Sequence, residues 1–364
     1  MIRFGYIILF CAAFLGLFSA CQKDDAGKPV DTEEDLFIRA VDISYWPVIR
    51  DYHLDFYNLN GAKEDFIMIL KNSGVNTIRL RLWVNPDEPY ASLPQVNSFA
   101  RTLQSAGFRI WLSLHYSDTW ADPGQQQIPS AWLGAEHDAL NDSVYNYTTR
   151  VVNQIKPDLI QIGNEINNGF LLPEGDIYSH KIQFLQLLNS GIEAVRNANG
   201  KTKIIIHYAG LEGIDWFLDQ VSDLDFDVIG LSYYPVWHGK DLTLLTEKIK
   251  EITINRNHDV MIAETAYPFS LGWNDWTNNI VGLEEQLILP EFPASQQGQR
   301  DFILEIRNIL SETERGLGFC YWGAELVAFD GPQSENGSSW ENQAIFNFDN
   351  QALPVLEAFS KNLK

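Results

Sequence analysis

Two glutamates stand at the ends of apolar segments that are typical of buried strands. The run Leu159–Ile162 leads through two residues to Glu165, and further along the chain Asp259–Ala263 is followed directly by Glu264. Either glutamate alone could be a solvated loop residue. In a parallel barrel, however, both would face each other at the carboxyl ends of their strands. Two carboxylates flanking one bond are the usual arrangement for hydrolysis of a glycosidic bond, which is the chemistry that this pair favours.

The neighbours of the two glutamates indicate a division of roles. Asn164 precedes Glu165 and can hydrogen-bond a sugar 2-hydroxyl, so Glu165 is the candidate general acid/base with a raised pKa. Glu264 is then the candidate nucleophile, which has to stay ionised. Arg79 and Arg81 share one face of a strand because side chains alternate, and an arginine there can hold Glu264 charged. The alternative for the two arginines is a structural ion pair.

Polar and aromatic side chains also follow the other expected strands. After the third strand, Asp118 can hydrogen-bond sugar hydroxyls and Trp120 can stack on a sugar ring. The alternatives are that Asp118 caps a turn and that Trp120 fills the mouth of the barrel. After the sixth strand, a tyrosine is expected to contact the nucleophile. The full set of expected substrate contacts comprises Asp42, Arg81, Trp83, His115, Asp118, Trp120, Asn164, His207, Tyr234, Trp237 and Trp322.

Three of these tryptophans bear on the shape of the site. Trp83, Trp237 and Trp322 follow three different strands, so they are expected to be spread around the mouth of a barrel. One sugar cannot contact all three rings. Their spread therefore favours an open groove with stacking platforms on both sides of the cut, which suits cleavage inside a chain rather than at its end.

The elements that must position these residues alternate between strand and helix. An open doubly wound sheet is the alternative to a barrel, but no glycine-rich phosphate loop follows a strand. Amphipathic segments between eight apolar segments predict an α/β fold, a (β/α)8 TIM barrel. No linker rich in Pro, Gly or Ser divides residues 36–364, which are expected to form one catalytic domain. The expected strands are Phe37–Ser44, Thr77–Leu82, Arg109–Leu114, Leu159–Asn164, Lys203–Ile206, Asp227–Ser232, Asp259–Ala263 and Leu317–Tyr321.

The first residues resemble an export signal rather than part of the barrel. Residues 1–20 contain an apolar run too short for a membrane span, and they end in Leu17-Phe18-Ser19-Ala20-Cys21, which resembles a lipoprotein signal whose Cys21 is acylated. Cleavage by an ordinary signal peptidase is the alternative. Residues 21–35 are acidic and lack aromatics, so they predict a flexible tether. The segment Gln22–Asp25 after Cys21 resembles the acidic export signals of surface lipoproteins of Bacteroidetes-type bacteria. This resemblance implies an outer-membrane lipoprotein exposed at the surface of a Gram-negative, Bacteroidetes-like cell.

Composition excludes several classes of partner. The formal net charge of −22 argues against nucleic acid, against anionic membrane surfaces except through a lipid anchor, and against acidic polymers. Of 3 cysteines, only Cys320 falls in the expected barrel, so neither a disulfide within it nor a cysteine-based metal site is expected. The 11 tryptophans and 14 tyrosines are more than a core requires and favour a carbohydrate ligand. No HExxH motif is present, so no metal mechanism is expected.

Several motifs together resemble glycoside hydrolase family 53, the endo-β-1,4-galactanases of clan A. The resemblance implies a retaining mechanism on β-1,4-galactan, with Glu165 as acid/base, Glu264 as nucleophile and no cofactor required for catalysis. We expect a monomer. The alternatives are another clan A endo-glycanase, such as a mannanase or cellulase, and a barrel that binds glycan without cleaving it. The motifs are Asp42–Tyr45, Gly74–Pro86, His115–Gly124, Pro129–Trp132, Gly163–Gly169, Ile229–Pro235, Glu264–Pro268 and Trp340–Ala344.

The resemblance also implies a structural calcium site. Some bacterial members hold calcium with an acidic loop after the seventh strand and a Ser-x-x-Asp near the C-terminus. Here the loop contains Asp275 and Asn279, and Ser338 and Glu341 stand where the Ser and Asp would. Oxygen ligands of this kind suit Ca²⁺. The loop departs from the family's spacing and has fewer carboxylates, which puts the ion in question.

Overall fold

Eight parallel strands close into a barrel, in which each strand pairs with the next and the last pairs with the first. The computed structural model describes Met1 and residues 36–363. The predicted TIM barrel is confirmed. Its strands are β1 (Ile38–Asp42), β2 (Thr77–Leu82), β3 (Arg109–Leu114), β4 (Leu159–Ile162), β5 (Lys203–Ala209), β6 (Val228–Ser232), β7 (Asp259–Thr265) and β8 (Gly316–Tyr321).

Helices cover the outside of the barrel between successive strands. Asp65 caps the first of them by accepting a hydrogen bond from the Met68 amide at 3.1 Å, which satisfies a free N–H of the first turn. After β8, a 3-10 helix, Pro354–Phe359, packs where an eighth long helix would lie. The longer helices are α1 (Phe66–Ser73), α2 (Leu93–Ser105), α3 (His137–Ile155), α4 (Lys181–Ala198), α5 (Ile214–Val221), α6 (Leu242–Arg256) and α7 (Gln296–Ser311).

The inside of the barrel changes from apolar to polar along the strands. A compact group of buried side chains that includes Ala40, Trp111, Leu159 and Ile205 fills the lower part. Because side chains alternate along a strand, residues two positions further on face the same interior. Those residues are Asp42, Ser113, Gln161 and His207, and all four are buried. The carboxyl end of the barrel therefore carries a polar layer, where active sites of this fold lie.

The expected strand ends differ from the observed ones at β4 and β5. The strand expected to reach Asn164 stops at Ile162, because Gly163 and Glu165 adopt φ of 79° and 48°, outside the extended region. β5 continues past Ile206 to Ala209, which brings His207 inside the sheet. The expected end of β1 at Ser44 is also too late, since the strand stops at Asp42.

The leader and the tether lie outside the described residues, apart from Met1. The predictions about residues 1–20, the acylated Cys21 and the tether 21–35 therefore stay predictions. In the described part of the chain, no helix combines the length and the apolar character needed to cross a membrane.

Candidate active site

A β-bulge turns Glu264 into the barrel. Along β7, Met261 and Ala263 both belong to the interior group, so strict alternation would point Glu264 outward towards the helices. The pairing of β7 with β6 shifts by one residue between Leu231 and Ser232, and Ala263 is the extra residue. A bulge of this kind re-aims the following side chain. Glu264 consequently faces the interior and is 7% exposed.

Glu165 reaches the same space from a tight turn after β4. Gln126 donates from its side-chain Nε2 to the carbonyl oxygen of Asn164 at 2.7 Å, which fixes this turn. One oxygen of Glu165, one of Glu264 and a ring nitrogen of His207 lie within 4.8 Å of one another. Carboxyl groups about 5–5.5 Å apart are the mark of retaining glycosidases, and inverting enzymes place them farther apart.

Arg79 holds the Glu264 carboxylate in place. The Arg79 Nη2 lies 2.7 Å from Glu264 Oε1, and Arg79 Nη1 lies 2.8 Å from Asp42 Oδ2. The Tyr234 hydroxyl donates to Glu264 Oε2 at 3.2 Å. Arg79 Nη2 also donates to Asn164 Oδ1 at 2.9 Å, so the guanidinium fixes both the carboxylate and the amide next to Glu165.

A short chain of hydrogen bonds orients Glu165. The backbone N–H of Glu165 donates to His207 Nδ1 at 3.2 Å, which leaves the ring proton on Nε2. His207 Nε2 lies 2.9 Å from the Ser232 hydroxyl, and that hydroxyl donates to Glu165 Oε1 at 2.5 Å. Burial, reinforced by the charge of Arg79, holds the pKa of His207 well below its usual value. The imidazole is therefore neutral and acts as a fixed donor.

The two carboxyls differ in their protonation. Burial raises the pKa of Glu165 to about 8, the negative charge of Glu264 adds to this rise, and the hydrogen bond from Ser232 opposes it. Burial also raises the pKa of Glu264, but Arg79 and the Tyr234 hydroxyl stabilise its anion and oppose that rise. Because the two groups share one site, Glu165 holds the proton and Glu264 holds the charge at neutral pH.

The two glutamates open into a cavity of about 680 Å³ at the carboxyl ends of the strands. Aromatic rings form much of its wall. Trp322 lies between Trp120 and Trp340, with ring centroids 6.1 and 4.4 Å away, and Trp237 lies 6.1 Å from Trp340. Trp237 and Trp120 are 54% and 39% exposed, so their faces are open to a ligand. Flat apolar faces with a few charged groups between them suit a sugar ring.

Comparison with known proteins identifies the family. The sequence model of Glycosyl hydrolase family 53 matches residues 38–359. The chain belongs to this family. An arabinogalactan endo-beta-1,4-galactanase of Cellvibrio japonicus is 36% identical over 324 residues, which cover 83% of this chain and 85% of that protein.

Solved structures agree with family 53. The GH53 catalytic domain of Ignisphaera aggregans matches with a TM-score of 0.84 at 36% identity, over 90% of this chain and 96% of that domain. A structure of two fungal beta-1,4-galactanases matches with a TM-score of 0.78 at 30% identity, over 88% of this chain and 98% of the other. The protein is a glycoside hydrolase.

Most of the expected substrate contacts of this family 53 enzyme do line the cavity, but three do not. Trp83 is 3% exposed and donates from its Nε1 to His115 Nδ1 at 3.3 Å, so it supports His115 from behind. Asp118 accepts hydrogen bonds from the backbone amides of Asn85 and Ser130, as the turn-capping alternative predicts. His207 is fully buried behind Ser232. The expected site residues that do line the cavity are Asp42, Arg81, His115, Trp120, Asn164, Tyr234, Trp237 and Trp322, with Glu165 and Glu264.

Sequence reasoning missed several residues that build the site. Ser232 contacts Glu165 and comes directly before the two tyrosines after β6, on the interior face that alternation predicts for that strand. Gln161 contacts His207 and Arg79 from the interior of β4. Trp340 lines the cavity and belongs to one of the family motifs. Strand parity could have found Ser232 and Gln161, whereas nothing local places Trp340 beside Trp322.

The carboxylates of the site do not have the character of a metal centre. Glu165, Glu264 and His207 are close enough to hold an ion. However, His207 is hydrogen-bonded at both ring nitrogens, and Arg79 already supplies the positive charge that Glu264 needs. This donor set does not fit a metal, and hydrolysis by two carboxylates does not require one.

The residues expected to bind calcium lie together beside the cavity. Asp275 Oδ2, Asn279 Oδ1 and Glu341 Oε2 are buried and have no hydrogen-bond partner among the described residues. The negative charge of Asp275 acts on Glu341, whose pKa is raised mainly by burial. Ser338 is differently engaged, because its hydroxyl donates to the carbonyl of Leu326 at 2.6 Å. Three unpartnered oxygens from two carboxylates and one amide fit a hard cation.

Proposed function

We propose that this enzyme hydrolyses β-1,4-galactosidic linkages inside galactan and type I arabinogalactan chains, with retention of configuration. The observation that carries the proposal is the pair formed by Glu165 and Glu264, whose carboxyl oxygens lie within 4.8 Å of each other. One of them is paired with Arg79 at 2.7 Å and the other has a pKa of about 8. The family 53 relatives named above supply the sugar, since the geometry alone does not distinguish galactose.

The first step of the proposed reaction breaks the glycosidic bond. A Glu264 oxygen attacks the anomeric carbon, while the Glu165 carboxylic acid transfers its proton to the departing glycosidic oxygen. The products are a galactosyl ester of Glu264 and a shortened galactan chain with a free hydroxyl. Asn164 lines the cavity, its Oδ1 accepts from Arg79, and its Nδ2 donates one proton to the Ala121 carbonyl at 2.8 Å. The second N–H of Nδ2 is the donor that would bind the sugar 2-hydroxyl.

The second step releases the sugar. Glu165, now a carboxylate, takes a proton from a water molecule, and the resulting hydroxide attacks the anomeric carbon of the ester. The Glu264 carboxylate leaves and returns to Arg79 and Tyr234, and Glu165 regains its proton. Both inversions at the anomeric carbon together give the β-product.

The deciding experiment offers the purified protein linear galactan, mannan and cellulose, and resolves the products with time. We expect mixed galactooligosaccharides from galactan and none from the other two polymers. Proton NMR of the first products should show the β-anomer. Release from mannan or cellulose at a comparable rate would favour another clan A endo-glycanase. Binding of galactan with no product, equal to that of a Glu264→Gln control, would favour a non-catalytic binder.

The anchor is a further part of the proposal. Acylation of Cys21 would hold the enzyme at the outer surface of the cell, and the tether of residues 21–35 would let a monomeric barrel reach polymer outside. Cys21→Ser should move the protein from the membrane fraction to the soluble fraction. Protease treatment of intact cells should cleave the wild-type protein if it faces outward. Unchanged membrane association of the variant would contradict acylation.

Calcium is proposed as a structural ion rather than a catalytic one. Asp275, Asn279 and Glu341 would hold it through the three buried oxygens that lack partners. The ion would tie the loop after β7 to the loop after β8, and the second of these loops carries residues of the cavity wall. It would leave the proton transfers to Glu165 and Glu264.

A further inference from the structure

Glu325 is a third buried carboxyl of the cavity wall, and the proposed mechanism does not use it. It lies in the turn after β8, is 2% exposed and lines the cavity. Its Oε1 accepts a hydrogen bond from the backbone N–H of Tyr45 at 2.8 Å. Its Oε2 is buried and has no hydrogen-bond partner among the residues that the structure describes. A polar atom in that condition is costly unless something else contacts it.

The surroundings keep Glu325 neutral at pH 7. Burial raises its pKa to about 8, and the negative charge of Asp42 on β1 adds to this rise. The backbone N–H groups of Glu325 itself and of Tyr45, and the guanidinium of Arg81 on β2, act in the opposite direction and lower this pKa. Tyr90 and Cys320 also face this carboxyl. With Oε1 accepting from Tyr45, the proton belongs on Oε2, which makes Glu325 a hydrogen-bond donor with no acceptor among the described residues.

Arg81 has a similar unused donor at the same corner of the cavity. It is 4% exposed, and no carboxylate of the described residues forms a salt bridge with it within 4.0 Å. Its guanidinium carbon lies 3.7 Å from the centroid of the Trp120 ring, and its Nη2 donates to the Tyr90 hydroxyl at 3.2 Å. Its Nε is buried and has no partner among these residues. Glu325 and Arg81 therefore each have a hydrogen-bond donor on the same wall of the cavity that has no acceptor among the described residues.

The position of Glu325 assigns it to one end of the bound chain. Glu165 has to lie beside the leaving sugar, because it protonates the oxygen of that sugar. Glu325 is linked instead to Asp42, which contacts Arg79 and through it Glu264. This link groups the corner formed by β1, β2 and β8 with the nucleophile rather than with the acid, so we assign the corner to the part of the chain that stays attached to Glu264.

We propose that Glu325, as a neutral carboxylic acid, donates a hydrogen bond to a hydroxyl of the sugar unit next to the one attacked, on the Glu264 side, and that Arg81 binds the same unit. Glu325 is thus a specificity residue for galactan in this enzyme. The inference rests on the proposed function, since it takes the ligand to be a galactan chain. Hydroxyl oxygens are neutral acceptors, which suits a donor that is itself neutral.

The test measures binding rather than turnover. Calorimetric titration with β-1,4-galactotetraose would use a Glu165→Gln/Glu264→Gln background, which cannot hydrolyse the ligand and removes the titration of both glutamates. In this background, Glu325→Met keeps the volume but loses the donor, so affinity should fall roughly tenfold, as expected for one or two lost hydrogen bonds. Glu325→Gln keeps an acceptor for Tyr45 and an N–H donor, so affinity should be retained at pH 7.

The pH dependence separates the role of the proton from a packing role. With Glu325 present, affinity should fall as the pH rises from 7 to 9, because ionisation removes the donated proton. Glu325→Gln cannot ionise, so its affinity should stay level over that range. Glu88→Gln is the matched control, since Glu88 is exposed near Tyr45 and Tyr90 but does not line the cavity. Added to the background, Glu88→Gln should leave both the affinity for galactotetraose and its pH dependence unchanged.

Two outcomes overturn different claims. If the background variant does not bind galactotetraose at all, the galactan proposal fails. If it binds but Glu325→Met binds equally well, or if Glu325→Gln shows the same decline above pH 7 as Glu325 itself, the role of Glu325 is refuted and the galactan proposal stands. Misfolding of Glu325→Met would leave the Glu325→Gln pH comparison to decide.

Discussion

Arg79 is the residue on which the others depend. Its single guanidinium contacts carboxylates from two strands, Asp42 on β1 and Glu264 on β7, together with the amide of Asn164 after β4. Burial lowers the pKa of Arg79, but the charges of Glu264 and Asp42 outweigh burial and raise it above its usual value. A lysine carries its three donors on a single nitrogen and lacks the planar fork by which the arginine spans these groups. The ionised state of Glu264 therefore depends on residues from several strands of the barrel.

The two glutamates should fail in different ways when changed to glutamine. Glu264→Gln should abolish turnover of every substrate, because no covalent intermediate can form, while galactan binding remains. Glu165→Gln should lose several orders of magnitude on galactan but retain activity towards an activated aryl galactoside, whose leaving group needs no proton in the first step. With a dinitrophenyl galactoside, Glu165→Gln should show a burst of released dinitrophenol, because the covalent intermediate forms and then accumulates. Equal loss by Glu165→Gln on both substrates would contradict its assignment as the acid.

Ser232 should set the alkaline limit of the enzyme. The reaction needs protonated Glu165, so kcat/KM should fall as the pH rises through about 8. The Ser232 hydroxyl stabilises the ionised form, and its loss in Ser232→Ala should raise that pKa. The alkaline limb should then move upward by roughly one pH unit, with a lower plateau because Glu165 is less well oriented. If the alkaline limb of Ser232→Ala coincides with that of the wild type, Ser232 does not set the pKa of Glu165. Ser222→Ala, an exposed serine far from the cavity, is the control.

At the scale of elements, loops rather than strands decide the final shape of the cavity. The loop after β7 carries Asp275 and Asn279, and the loop after β8 carries Glu341 and the cavity residue Trp340. The backbone of Gly337 approaches Asp275 so closely that an added Cβ would lie 2.2 Å from its Oδ2. These loops are joined by polar contacts, such as Glu341 Oε1 accepting from the Asn274 amide at 2.6 Å.

Calcium should stabilise these loops and raise the melting temperature. At a calcium concentration one hundred times the dissociation constant, the gain in unfolding free energy is about 2.7 kcal/mol. Differential scanning calorimetry with calcium or with a chelator should show this difference in the wild type. Asp275→Asn should abolish it, since the amide keeps the hydrogen bond to Thr277 but loses the charge. A melting temperature that does not respond to calcium or chelator would refute the proposed calcium site.

Strand order was predictable because each apolar run stands between clear helical segments. Once a strand was known, alternation predicted which of its side chains face the interior, as for Arg79 on β2. Strand β7 is the exception, because the extra residue Ala263 interrupts the alternation before Glu264. Alternation along a strand does not predict which distant loops contact each other. Trp83 and Trp322 both follow a strand, yet Trp83 is buried behind His115 and Trp322 lines the cavity. Loop conformation, which depends on tertiary packing, separates the two.

At the scale of the whole molecule, a continuous row of aromatic rings lines the cavity. Trp120, Trp322, Trp340 and Trp237 succeed one another along its wall. The chain carries a net charge of −22, so a neutral polymer is favoured over an acidic one. The groove proposed from three tryptophans therefore keeps two of them, with Trp340 and Trp120 taking the place of Trp83.

Trp237→Ala should weaken binding of long galactan more than binding of a disaccharide. Loss of one stacking face is worth about 1–3 kcal/mol for a ligand that spans it. Wild-type digestion should begin with mixed oligosaccharides. Free galactose alone in the first minutes would contradict an open groove. Trp216→Ala is the matched control, because Trp216 is 41% exposed but does not line the cavity, and its affinity for galactan should be unchanged.

The extra residue at Ala263 limits how this active site can be transferred to another protein. A designed barrel with ideal strands alternates without interruption, so a glutamate at the position of Glu264 would face the outer helices. Copying the side chains of the site onto such a scaffold would leave Glu165 without its partner. The insertion in β7 has to be copied as well, and strand length at this point is as much a part of the catalytic apparatus as the carboxylate itself.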